Sequence, residues 1–419
     1  MSNPKSKIPN PKSLRVLHFA DAHIDMANYG RHDPATGLPI RVMDFLKSLD
    51  HIVDTAVNEK VDLVLFAGDA YKDRNPQPTF QREWGQRMMR LSEAGIPTIL
   101  LVGNHDVAPA AGRANTVQEF RTLRVPHIHV ADRIGFLAPE QLGRPVQVIT
   151  IPWISRTAFV RREESANMSQ EEAMVAIAER IAEAIQQAIE AADPDLPLIL
   201  MAHTSVQGAN YGSERGVMLG HELTLSQAVV RDPRLDYVAL GHIHKHQSLN
   251  GQGHPPVVYP GSIERIDFGE AKERKGFVIA EISRGQTTWQ FRPLPVRRFI
   301  DLKIETPSAD TFMADVFRQL PEAAEVKEAI CRVQLEYPRD WEPLVDERAI
   351  AERFTEAFSF QLFQHRQMDK RARLGDLVAV EALSPEELLA LYWPTISLDV
   401  EETAAMQALA KEVLSSVES

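Results

Sequence analysis

A chain of 419 residues exceeds what one ordinary hydrophobic core organises, so two or three folded units are expected. With 44% hydrophobic and 25% charged residues the composition is that of a soluble globular protein, and no apolar run approaches the roughly 20 residues of a membrane-spanning helix. The net charge of -12 argues against a general nucleic-acid coat but not against a nuclease, because carboxylates at a metal site carry that sign and bound cations reverse it.

The opening residues, MSNPKSKIPNPKS, are polar and proline-rich, unlike a signal peptide, and read as a tail over 1–13. Strands are expected at residues 15–19, 63–66, 98–102, 146–151, 198–202, 237–240, 257–259 and 277–282. Most are continuous Val/Ile/Leu runs, which suits strands buried on both faces. Helical patterns run over 41–58, 81–94 and 169–192, the last opening on a Ser169/Glu172 capping box and stopping at Asp193-Pro194. Such alternation indicates α/β layering. The segment RPLPVRR, from Arg292, marks a boundary. Beyond it a smaller β-α-β-α-β unit is expected over 296–374, with strands at 299–304, 329–336 and 360–367. A helical segment over 375–419 follows: Ser384, Pro385 and Glu387 open a helix containing LLALYW, and an amphipathic stretch over 400–417 ends the chain. The single cysteine, Cys331, reads as a buried thiol, excludes an internal disulfide and fits a reducing cytoplasm.

Chemistry-bearing residues gather directly after the strands. They are Asp21-Ala22-His23, Gly68-Asp69, Gly103-Asn104-His105-Asp106, His203, and His242-Ile243-His244. Any one of these is weak alone, and a lone histidine on an apolar strand is commonly a core residue. Together they deliver carboxylate, imidazole and amide groups to one edge of an open α/β sheet, where functional groups collect. Donors of this mixed kind without cysteine suit Mn²⁺, Fe²⁺ or Zn²⁺. Two carboxylates and several neutral donors can hold two divalent ions if one carboxylate bridges. Asp69 is the candidate bridge, since Gly68 lets the backbone turn tightly beneath it.

In this order, D-x-H, G-D, G-N-H-D, H and G-H-x-H resemble the calcineurin-like metallophosphoesterase superfamily, over roughly residues 14–292. The resemblance implies an αββα sandwich core. One ion would take Asp21, His23, Asp69 and His244, the other Asp69, Asn104, His203 and His242, with manganese the expected metal. It also implies that His105 protonates or stabilises the leaving oxygen and that Asp106 orients His105.

The stretches starting GDAYKDRNP (from Gly68) and VVYPGSIERIDFGE (from Val257) look like the SbcD family, the nuclease subunits of SbcC–SbcD repair complexes. DAYKDRNP departs from the more common GDIFD wording at Ala70, Tyr71 and Lys72. The family implies a cytoplasmic phosphodiesterase acting on DNA, with 3′→5′ exonuclease activity on duplex ends and endonuclease activity on single strands and hairpins. It further implies a capping domain over 296–374, a C-terminal helical segment docking on an SbcC-type ATPase, and a homodimer. Lys72, Arg74, Arg82, Arg87, Arg297 and Arg298 are candidate phosphate contacts, because backbone charge dominates nucleic-acid affinity. The alternative on the same scaffold is a small-molecule or cyclic-nucleotide phosphodiesterase, against which the extra C-terminal units count.

Overall fold

The computed structural model describes residues 13–108, 113–154, 170–212, 223–367, 384–393 and 400–417. The expected tail over 1–13, the Ser169 end of its helix and the boundary near residue 374 fall almost wholly outside these segments. The chain divides into two compact units, one of residues up to Ile300 with Glu328–Ile330, the other of Asp301–Lys327 and the chain from Cys331.

The two main sheets of the larger unit are built from β1 (Leu14–Phe19), β2 (Leu63–Phe66), β3 (Thr98–Leu101), β4 (Ile128–Ala131), β5 (Gly135–Leu137), β6 (Gln147–Ile151), β7 (Leu198–His203), β8 (Tyr237–Gly241), β9 (Gln247–Ser248), β10 (Val257–Tyr259), β11 (Gly276–Ser283) and β12 (Gln286–Pro293). Both are six-stranded, ordered β12-β11-β1-β2-β3-β4 and β9-β10-β8-β7-β6-β5. Strands β1 to β4 run parallel, as do β6, β7, β8 and β10, and the flanking strands are antiparallel.

Side-chain alternation along the strands builds the layers. Val16, Leu65, Ile99 and Leu101 point into one cluster with Val148, Ile199, Met201 and Ala239, so the two sheets pack face to face. The other face of the first sheet, with Leu17, Phe19, Phe66 and Leu100, is covered by α1 (Ile40–Asn58) and α2 (Pro78–Glu93) through Phe45, Leu49, Trp84 and Met88. The other face of the second sheet, with Ile149, Leu200 and Leu240, is covered by α3 (Gln170–Ala191) through Ile177, Ile181, Ile185 and Ile189, a spacing of four that keeps all of them on one helix face. The result is the expected αββα sandwich. Helix α2 starts three residues earlier than its apolar period suggests, because Pro78 occupies the first helical position, where a missing N–H costs nothing.

Beyond the larger unit's sheets, β13 (Phe299–Glu305), β14 (Ile330–Pro338) and β15 (Ser359–Gln367) form a three-stranded sheet with β14 central. Phe312 packs against Tyr337 and Trp341, and Cys331 is a buried thiol. In the helix Pro385–Tyr392 the capping box is reciprocal: Glu387 N–H donates to Ser384 Oγ at 3.2 Å, and Ser384 N–H to Glu387 Oε2 at 2.8 Å. Among the described residues no helix is long and apolar enough to cross a membrane.

Candidate metal centre

Five parallel strands end at one place. Asp21 and His23 follow β1, Asp69 follows β2, Asn104 and His105 follow β3, His203 closes β7, and His242 and His244 follow β8. The first loops are stitched by backbone: Asp21 N–H donates to the Gly68 carbonyl at 2.9 Å and Ala22 N–H to that of Asp69 at 2.8 Å. Four donor residues adopt left-handed backbone, with φ of 50° at Asp21, 40° at His23, 65° at Asp69 and 100° at His242. That region is costly for residues with a Cβ and persists where the surroundings enforce it, characteristically at functional sites. Gly68 is required twice over, by a φ of 103° and because a Cβ there would strike the His203 ring.

Hydrogen bonds on the far side of three of the rings determine which nitrogen faces the cluster. His203 Nδ1 lies 2.6 Å from the Ala67 carbonyl, which can only accept, so Nδ1 carries a proton and Nε2 is the nitrogen turned inward. His23 is set the same way by the Tyr71 carbonyl at 3.2 Å. His244 Nδ1 lies 2.8 Å from Glu270 Oε1. Burial pushes that carboxyl up, but the His244 hydrogen bond and the Lys275 ammonium outweigh it and hold Glu270 at about 2, so it is ionised and His244 must donate.

With these orientations, His23 Nε2 and His244 Nε2 face each other at 3.2 Å. His203 Nε2 faces Asn104 Oδ1 at 2.9 Å and Asp69 Oδ2 at 3.4 Å, and His242 Nδ1 approaches the same Asn104 oxygen at 3.0 Å. The Nε2 lone pairs of His23 and His244, and that of His203 against the Asp69 carboxylate, repel at these distances unless positive charge lies among them. At His203 burial opposes positive charge, but the Asp69 carboxylate outweighs it and raises the imidazole to about 9. Burial likewise works against charge on Asp69, yet His203, His105 and His23 hold its carboxyl well below the usual range. Donor atoms of Asp21, His23 and His244, and those of Asp21, Asp69 and His203, lie within 4.8 Å of one another. The side chains therefore fit divalent cations, and their nitrogen–oxygen chemistry without thiolate suits first-row ions.

Beside the cluster, His105 stands half-buried, its ring edge-on to His23 at 5.1 Å between centroids. Its orientation comes from two contacts: its N–H donates to Asp69 Oδ1 at 2.8 Å and Nδ1 donates to the Lys72 carbonyl at 2.6 Å. The expectation that Asp106 orients His105 is corrected by these bonds. The Asp106 carboxylate is fully buried and accepts from the N–H groups of Asp69, Ala70 and Gly103 and from the Thr116 hydroxyl, at 2.7–3.0 Å. Those four donors saturate its oxygens, so Asp106 staples the β2 and β3 loops together rather than holding the imidazole. Burial and the charge of Asp69 push its pKa up to about 6.

A cleft of about 920 Å³ opens next to His105, lined by Asp25, His32, Lys72, Arg74 and Phe80. Arg74 is anchored by its Nε on the Asn104 carbonyl at 3.1 Å. The other cations expected on phosphate stand elsewhere or are engaged. Arg297 is clamped on Asp44, at 2.6 and 2.9 Å, and on Glu328. Arg87 is paired with Asp50 and Glu83, and Arg82 with Glu83. Arg298 is exposed and outside the cleft lining.

The sequence reading missed Trp153, whose ring lies 5.0 Å from that of His242. The available signal was its position just past β6, where another parallel strand ends at the same edge. It missed Glu270 and Lys275 too, although both stand in or beside the stretch from Val257; nothing local marks them as neighbours of His244.

Residues 14–246 match the family model of calcineurin-like phosphoesterases. The chain is 25% identical over 279 residues to the SbcD subunit of nuclease SbcCD from Escherichia coli (strain K12), covering 65% of this chain and 66% of that protein. It is 26% identical over 282 residues to the uncharacterized metallophosphoesterase YhaO of Bacillus subtilis (strain 168), covering 67% and 60%. The SbcD subunit of nuclease SbcCD from Rhodobacter capsulatus is 29% identical over 301 residues, covering 68% and 71%. The chain thus spans less than two thirds of the length of the first two relatives, 66% and 60%. A family match over more than half of the sequence, together with a donor cluster built at the strand ends of an αββα sandwich, places this chain in the calcineurin-like phosphoesterase family.

Proposed function

We propose that the protein is the nuclease subunit of an SbcC–SbcD type DNA repair complex, hydrolysing phosphodiester bonds with two divalent ions, manganese by preference. The reading is carried by the convergence of imidazole nitrogens and carboxylates at the strand ends, with two relatives named as SbcD subunits of nuclease SbcCD in support. Asp21, His23, Asp69 and His244 would hold one ion, and Asp69, Asn104, His203 and His242 the other. When bound, two such ions neutralise charge on a phosphoryl group and activate water.

The chain's own residues do the rest. Ala67, Tyr71 and Glu270 each hold the outer nitrogen of a ring, so that the inner nitrogen is the one offered to metal. His105, tethered through Nδ1, has Nε2 left to deliver a proton to the leaving 3′-oxygen. Lys72 and Arg74 line the adjoining cleft and would contact strand phosphates there. The smaller unit over 296–374 would cap the substrate, and the C-terminal helices would dock on an SbcC-type ATPase, the complex being built on a homodimer. Exonuclease action would run 3′→5′ on duplex ends, with endonuclease action on single strands and hairpins.

The test offers the purified protein Mn²⁺ with an end-labelled DNA duplex and, separately, bis-p-nitrophenyl phosphate. Hydrolysis of both is expected. Cleavage of the small ester with none of DNA, even beside the ATPase partner, would sink the nuclease reading in favour of a small-molecule phosphodiesterase.

A further inference from the structure

The stretch from Gly261 to Lys275 lies beyond the matched family region, yet it holds His244 at both ends. At the backbone end, the His244 carbonyl accepts from Ser262 N–H at 3.0 Å and from the Lys275 ammonium at 3.0 Å. A Cβ on Gly261 would meet that carbonyl and the His246 nitrogen, so only glycine lets the chain pass so close. At the ring end, Glu270 Oε1 accepts from His244 Nδ1–H at 2.8 Å. Its other oxygen accepts from Ile266 N–H at 2.9 Å and pairs with Lys275 Nζ at 2.8 Å. Glu270 and Lys275 are 0% and 1% exposed. A charge pair so deep is costly to assemble and gains little stability over apolar side chains of the same size. The described polar contacts of the carboxylate are therefore to the His244 ring, to its own loop at Ile266, and to the lysine that also grips the His244 carbonyl.

We propose that Glu270 is a positioning residue, aligned by Lys275, that fixes the His244 imidazole with Nε2 turned to the metal cluster. The inference rests on the two-ion reading above and adds a residue outside the ligand set. Only a carboxylate meets the geometry. Its oxygens face three donors, His244 Nδ1–H, Ile266 N–H and the Lys275 ammonium. A glutamine would turn its NH₂ group against at least one of them. Losing the bond frees the imidazole to rotate or to move its proton to Nε2, which removes a ligand without touching any atom of it. Outer partners of this kind change metal affinity about 10–100-fold.

The test compares Glu270→Gln and Glu270→Asp with wild type by Mn²⁺ titration calorimetry and by the visible absorption of the Co²⁺-loaded proteins, with melting of the metal-free forms as a folding control. Both variants are expected to bind at least one ion about 10–100-fold more weakly and to shift the Co²⁺ bands. Glu270→Asp keeps the negative charge opposite Lys275 but withdraws the carboxylate by one methylene, so it carries the test if Glu270→Gln does not fold. Wild-type affinity and spectrum in Glu270→Asp would overturn the proposal, leaving Glu270 as a counter-ion for Lys275. A wild-type protein that bound no divalent ion would overturn the nuclease reading itself, and this inference with it.

Discussion

His105 and Asp106 are neighbours in sequence with separate work in the fold. His105 reaches the cleft with one ring nitrogen committed to Lys72, whereas Asp106 is sealed beneath the loops and accepts four hydrogen bonds. Their substitutions should therefore fail differently. His105→Ala is expected to lower kcat by about 10²–10⁴-fold while metal content, read by plasma emission, stays at the wild-type level. Loss of metal in that variant would place His105 among the ligands. Asp106→Asn turns an amide NH₂ toward backbone donors, so a loss of about 1–3 kcal/mol in urea denaturation is expected. An unchanged midpoint with reduced kcat would restore the orienting role. Sequence spacing identifies both residues as part of one cluster. It cannot separate their roles, because Asp106's partners, Asp69, Ala70 and Thr116, come from other segments.

At the level of elements, the strands easiest to read are those buried on both faces, such as β2 and β3, where an unbroken apolar run has few other structural uses. The edge strands β4, β5, β9 and β12 go unread. β12, QTTWQFRP, alternates exposed with half-buried residues over most of its length and pairs with β11, so its sequence carries little apolar signal. One strand residue runs against its apolar neighbours. His18 on β1 is fully buried, and Nε2 lies 3.2 Å from the Leu240 carbonyl on β8, so that nitrogen carries the proton. Nδ1 then accepts from the Tyr237 hydroxyl at 3.0 Å, joining the two sheets across the sandwich. Burial pushes the His18 pKa down to about 3, from an ordinary value of 6.5. Between those values the unfolded chain binds a proton that the folded chain refuses. The stability that depends on neutral His18 is therefore complete above pH 6.5 and is lost as pH falls toward 3. Relative to His18→Gln, the wild type should lose about 2–3 kcal/mol between pH 6.5 and 4 in denaturant titrations. Parallel pH profiles for the two proteins would show that His18 titrates freely.

For the whole molecule, the negative net charge raises the importance of the few cations near the centre. Arg74 is the best placed, held by Asn104 and lining the cleft beside His105. On the proposed nuclease reading, Arg74→Gln is expected to weaken DNA binding across sequences and to reduce the slope of log affinity against log salt by about one. An unaltered slope, measured by fluorescence anisotropy in Ca²⁺ to suppress cleavage, would remove Arg74 from the DNA contact. Arg297 illustrates the opposite outcome, since a cation at the boundary looks available in sequence and is consumed by Asp44 and Glu328 in the fold.

The layered α/β architecture and the set of donors at the strand ends are legible in the amino-acid order alone. Both follow from short-range rules: unbroken apolar runs make buried parallel strands, and the groups just past them must lie at one sheet edge. Folding in three dimensions settles the rest: which nitrogen His23, His203 and His244 present, that Asp106 secures loops instead of a ring, and that Glu270 and Lys275 stand behind His244. Those facts depend on hydrogen bonds between residues up to 136 positions apart, as between His203 and Ala67. A carbonyl, a buried carboxylate or a lysine acquires such a role only when the fold brings it within hydrogen-bonding reach of its partner, and no local pattern marks it beforehand.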